Sequence, residues 1–292
     1  MKELLRASLE RAPSRSRPGV ERILATKSEP INALADLASV WDLPGFGLDQ
    51  VQIVRAADPE RQLALCRSLA SQRLLEAWQI EKAGMSFAAK MSLLAESLSE
   101  QRLYVLFGAE EASHFHAIDQ MLAQPAPEAA DPFIELLREI IVSAERRPLQ
   151  LLIQVVLEGW GIEHYALMAR SCLDPALKLV LGRILADEAG HHGSGLSLFQ
   201  AAELSPAESD YIVTTLRQFL KLVAIGPVGM LATIETEIAP LSTRARHEVL
   251  EQLDARAETA AKLKLLAGYL RKAGAEQILE RLERDEAFTP SF

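Results

Sequence analysis

The chain has 292 residues, a hydrophobic fraction of 49% rich in Ala and Leu, and a formal net charge of −9. An acidic balance gains nothing from counterion release, so nucleic acid is not an expected partner. A peripheral membrane protein would carry a basic face, which is also missing.

The N-terminus, MKELLRASLERAPSRSRPG, is charged throughout and has no apolar core, so no signal peptide is expected. No run of about eighteen apolar residues occurs, so no membrane span is expected. Cys66 and Cys172 stand outside any CxxC. They fit buried free thiols in a reducing cytoplasm, the expected location.

Short helices are expected at about 2–12, 18–27 and 31–41, followed by a loop at Asp42-Leu-Pro-Gly-Phe-Gly47. Asp58-Pro59 pairs an N-cap with an N1 proline and opens a helix reaching about Ser99. A second helix covers about 101–122, and AQPAPEAADP at 123–132 reads as a linker. Helices at about 133–144, 148–172 and 175–202 come next, the last two divided at Leu173-Asp174-Pro175. Helices at about 206–225, 228–238, 243–271 and 275–285 complete the chain. No alternation of strand type appears, so the class is all-α.

Two of the six histidines have a glutamate three residues before them: Glu111-Ala-Ser-His114 and Glu188-Ala-Gly-His191. That spacing puts both side chains on one helix face, one turn apart. Glu111 and Glu188 are 77 residues apart, and so are Glu81 and Glu158. Each of the latter lies 30 residues before its Glu-x-x-His. Gly84/Gly161, Ala89/Ala166 and Met91/Met168 match at the same offset. The chain therefore carries two copies of one helix pair.

In each copy the turn lies midway between the lone glutamate and the Glu-x-x-His. Two antiparallel helices with equal arms bring both carboxylates to one height, about 22 Å from the turn. Glu158 comes directly after the apolar run Leu151-Leu-Ile-Gln-Val-Val-Leu157, so it is no solvated-face residue. Four buried carboxylates need compensation. Two divalent cations supply it, and imidazole with carboxylate suits iron or manganese, and also zinc.

This pattern resembles the ferritin-like di-metal carboxylate proteins, in which two helices each give a Glu and two others each give a Glu-x-x-His. The resemblance covers about residues 70–200. It implies a ferritin-like four-helix bundle over 58–203; the N-terminal helical extension at 1–57 and the C-terminal helices at 204–292, expected to pack on the bundle, have no counterpart in the resemblance. It implies metal ligands at Glu81, Glu111, His114, Glu158, Glu188 and His191, with Glu111 and Glu188 bridging two irons. A manganese or mixed manganese/iron pair suits the same donors.

Other residues are candidates for supporting roles. Glu110 and Asp187 align in the repeat and would orient histidines. Glu163 would become an extra ligand only if a π-bulge after Glu158 brought it round. His164 and His192 lie off the metal face, and His116 and His247 are expected to be exposed. Gly84 and Gly161 would allow close helix packing or leave space beside the metals. Trp78, Tyr104, Phe107 and Tyr165 fall near the same faces, as core or as pocket wall.

The resemblance further implies an oxygenase or oxidase that uses dioxygen as cosubstrate. Its outcome would be hydroxylation, N-oxygenation, desaturation or oxidative C–C cleavage of a small organic substrate. Its expected partners are that substrate and an electron donor such as a ferredoxin or reductase, with a homodimer as the candidate assembly. Iron storage and peroxide consumption, as in manganese catalase, are the alternatives. Two cysteines leave no four-cysteine iron site, and Ile118 stands where a radical tyrosine would be, four residues after His114.

Overall fold

The computed structural model describes residues 1–11, 18–27, 31–122 and 131–292. Every regular element among them is helical. The chain groups into two compact units, Met1–Ala35 with Arg73–Arg146, and Asp36–Gln72 with Arg147–Phe292.

The first unit contains α1 (Lys2–Leu9), α2 (Pro18–Ala25), most of a long helix α4, α5 (Leu98–Met121) and α6 (Pro132–Ser143). Helix α4 (Pro59–Leu94) begins in the other unit, where α3 (Gln52–Arg55) precedes it. It ends before the expected Ser99, because Ser97 leaves the helix to cap α5, its side chain accepting from Glu100 N at 3.2 Å. In α5 one stripe is buried: Tyr104, Phe107, Glu111, His114, Ile118 and Met121. Its spacing of three and four residues is the helix period, and the polar pair sits in mid-stripe. Asp131 caps α6 by accepting from Phe133 N and Ile134 N, with Pro132 at the first position. At the other end of α6, the buried Lys90 ammonium donates to Ile141 O, Val142 O and Ala144 O. The expected linker at 123–132 lies outside the described residues up to 130, as does residue 12.

In the second unit a continuous helical run covers α7 (Arg146–Leu149), a π-helix (Gln150–Leu157) and α8 (Glu158–Ser171). Asp174 then caps α9 (Pro175–Leu198), accepting from Leu177 N at 2.8 Å. The buried stripe of α9 includes Leu181, Ile184, Glu188, His191 and Gly195, each 77 residues beyond its α5 counterpart. The helix stops at Leu198 rather than 202, and a short 3₁₀ turn comes next at Ala201–Glu203. A capping box of Ser205 and Glu208 opens α10 (Pro206–Ala224), and α11 is Val228–Glu237.

Two expectations are corrected. Residues 31–41 are not a helix: only a 3₁₀ turn forms at Leu37–Ser39, where Asp36 accepts from Ala38 N. That side-chain bond competes with a helical one. Just after the turn, Trp41 donates to Met168 O at 3.0 Å and Val40 O accepts from Leu173 N. The span 243–271 is two helices, α12 (Thr243–Gln252) and α13 (Ala255–Lys272), because Asp254 takes a left-handed φ of 47°. Helix α14 (Glu276–Arg284) is the last. Finally, Pro206–Glu237 reaches the length and composition of a membrane span, with a mean hydropathy of 1.4 over its apolar window, 33% of it buried. Gly226, at φ 68°, divides that stretch into α10 and α11.

Candidate metal centre

Two helical hairpins carry the six residues. In the first, Trp78 pairs with Asp119, Glu81 with His114, Gly84 with Glu111 and Phe87 with Tyr104. Residue numbers rise along α4 as they fall along α5, so the two helices are antiparallel. His114 Nδ1 lies 3.1 Å from Glu81 Oε2 and hydrogen-bonds it. Glu81 is wholly buried, and Glu111 and His114 are each 4% exposed. Gly84 has no side chain because Glu111 lies there: a Cβ would stand 2.5 Å from the Glu111 carboxyl carbon.

The second hairpin repeats the scheme. Gln154 pairs with Ser194, Val155 with His192, Glu158 with His191 and Gly161 with Glu188. Glu188 and His191 are buried, while Glu158 keeps 11% of its side chain exposed. Its Oε2 is 3.7 Å from His191 Nδ1, too far for a hydrogen bond. A Cβ at Gly161 would stand 3.4 Å from Glu188, an ordinary contact.

Ligand atoms of Glu81, Glu111 and His114 lie within 4.8 Å of one another, a buried carboxylate–imidazole cluster able to hold metal. In the second hairpin Glu158 stands 3.7 Å from His191, and Glu188 is buried beside Gly161. Buried carboxylates at this density are strongly unfavourable without cations, and the donor set matches hard to borderline divalent ions.

Other expected residues are placed as follows. Glu163 is exposed and stands outside the cluster. The π-helix precedes Glu158 instead of coming after it, so residues 158–163 are regular helix and Glu163 turns outward. Glu110 and Asp187 are partly buried. Trp78, Tyr104, Phe107 and Tyr165 are buried core residues, and Trp78 Nε1 donates to Asp119 at 2.8 Å. His164 is partly buried with its ring 5.7 Å from that of Tyr165, His116 is partly buried and His247 is exposed. A groove of 320 Å³ lies between α3 and α12, lined by Gln52, Ile53, Glu248 and Gln252 among others, and by none of the expected pocket residues. Cys66 and Cys172 are free and buried, and burial raises both thiol pKa values.

Sequence reasoning missed Gln150 and Gln154, which with Glu158 keep an i, i+4, i+8 spacing through an otherwise apolar run. That spacing was the available signal. It also missed His192 as a buried group, and Tyr269, whose distance in sequence left no signal. Burial lowers the pKa of His192 and raises that of Tyr269 to about 12, with Glu163 adding to the latter. In comparisons with family models, curated proteins and solved structures, nothing matches this chain.

Proposed function

We propose that this protein is a ferritin-like, four-helix-bundle di-iron oxidoreductase that uses dioxygen to oxidise a small organic substrate. The observation that carries the reading is the duplicated hairpin, each copy setting one lone glutamate against a buried Glu-x-x-His. Glu111 and Glu188, equivalent in the repeat, would be the two bridging ligands that the resemblance implies. Glu81 with His114, and Glu158 with His191, would complete the two ends. When bound, the metal pair supplies dioxygen reduction and a strong oxidant. The chain's residues hold four carboxylates and two imidazoles in a water-poor interior, where the apolar stripes of α5 and α9 limit solvent access. Catalysis is favoured over storage because a C-terminal helix sends Tyr269 against the ligand-bearing helix at Gly159, elaboration that a storage shell does not need.

Anaerobic iron titration, with optical spectra taken on oxygen exposure, tests the proposal. Two irons per chain are expected, with loss of both in Glu111→Ala. Oxygen uptake should then depend on an added electron donor and on substrate. Absence of tight metal binding defeats the reading, and a large hollow assembly on sizing would favour storage instead.

A further inference from the structure

The two hairpins are copies, and one of their differences falls beside Glu158. Helix α4 is α-helical throughout, whereas the run before Glu158 is a π-helix. A π-turn inserts one residue into the ladder and re-aims the side chains beyond it. Two side chains hold the backbone on either side of Glu158. His192 Nδ1 lies 2.9 Å from Val155 O, so this nitrogen carries the proton and donates. Tyr269 OH, from α13, donates to Gly159 O at 2.7 Å. Their rings meet edge to face with centroids 5.0 Å apart. Both press on the residue after Glu158: a Cβ at Gly159 would come within 2.9 Å of the Tyr269 ring and 3.0 Å of His192 Cε1.

The first copy lacks every part of this arrangement. The counterparts of Gly159 and His192, 77 residues earlier, are Lys82 and Phe115. Lys82 has its ammonium 5.2 Å from the Trp78 ring, and Trp78 packs on Phe115. There Glu81 is fully buried and bonded to its histidine at 3.1 Å, whereas Glu158 stands 3.7 Å from His191 and is partly exposed. The π-turn, the glycine, the second histidine and the distant tyrosine occur together, in the copy whose lone glutamate stands farther from its histidine.

We propose that Tyr269 and His192 form a brace that fixes the π-turn and holds the Glu158 carboxylate off His191, so that the C-terminal helices set the geometry of one of the two metal positions. Both are positioning residues: neither offers a ligand atom to the cluster. The inference rests on the metal-site reading above for its functional meaning, and on the backbone contacts for its structural content.

Tyr269→Phe keeps the ring and removes only the donor. Anaerobic cobalt(II) titration should show two metals still bound, with one binding step weakened about 10–100-fold, the other unchanged, and altered cobalt absorption bands. Gly159→Ala, which forces a Cβ between the rings, should give the same selective loss. In metal-free protein, hydrogen exchange of the amides around 155–163 should rise about fivefold to tenfold in Tyr269→Phe, the effect of one lost hydrogen bond. Amides around Glu81 should not change. Unchanged exchange at 155–163 overturns the brace, and so do equal losses at both metal steps. If the wild-type protein binds no metal, the proposed function fails, while the exchange result still decides whether the brace exists.

Discussion

Gly84 and Gly161 are equivalent in the repeat, yet replacing each by alanine should have opposite consequences. Alanine in a helix interior is favoured over glycine by about 1 kcal/mol. At Gly161 the new methyl would stand 3.4 Å from Glu188 Oε2, where it fits. Gly161→Ala should therefore stabilise metal-free protein by up to about 1 kcal/mol and leave metal binding close to wild type. At Gly84 the methyl would stand 2.5 Å from the Glu111 carboxyl carbon and closer still to Oε2. Carbon atoms in contact need about 3.5–4.0 Å, so the carboxylate must swing by roughly 1 Å or more. Strain in the displaced side chain, about 0.5–1.5 kcal/mol, offsets the helix gain, and the stability of Gly84→Ala should be near neutral. Metal affinity should not be. Glu111 is a bridging ligand in the proposed site, so its displacement should weaken both metals by at least about 10–100-fold, the loss typical of disturbing a residue that merely orients a ligand. Denaturant unfolding of metal-free protein and anaerobic iron titration measure the two effects separately. Wild-type affinity in Gly84→Ala, or an equal loss in Gly161→Ala, would refute the reasoning.

Two further predictions concern the frame of the first unit. Lys90 is 3% exposed and donates to three carbonyls at the end of α6; Lys90→Met strands those acceptors and should cost about 2–4 kcal/mol in denaturant unfolding, so an unchanged midpoint would contradict the assigned bonds. Burial, then the nearby Asp131, raises the Glu76 carboxyl pKa from 4.5 to about 7, partly opposed by Arg73. A pKa higher in the folded state means that the native form takes up the proton more readily. Its stability contribution is therefore complete below about pH 4.5 and is lost as pH rises toward and through 7. Glu76→Gln should remove this dependence and unfold at higher denaturant than wild type at pH 8; identical pH profiles for the two proteins would count against it.

Much of the site was legible because its signals are local. The 77-residue offset predicted that Glu81 and Glu158 belong with Glu111-x-x-His114 and Glu188-x-x-His191, and each lone glutamate lies against its histidine. Helix starts at Pro59, Pro132, Pro175 and Pro206 arise from a capping side chain or a proline whose missing N–H costs nothing at that position. The inward stripe on α5 comes from the helix period alone.

Where sequence reasoning failed, distant atoms had decided. Residues 31–41 have helical composition, but Asp36 ties Ala38 N into a 3₁₀ turn and Trp41 bonds Met168 O, 127 residues away. Nothing local in the sequence marked the π-helix before Glu158, where His192 takes Val155 O, or the bond from Tyr269 to Gly159 O just after it. Gly84 and Gly161 look alike in sequence, yet only the approach of Glu111 makes one of them indispensable. By itself the sequence determined the helical class, the duplicated hairpin and the identity of the buried carboxylates and imidazoles, because period, capping and repeat spacing act within a few turns of chain. The tertiary structure decided how each carboxylate is aimed, because that depends on side chains arriving from other helices, as Glu111 does at Gly84 and Tyr269 at Gly159.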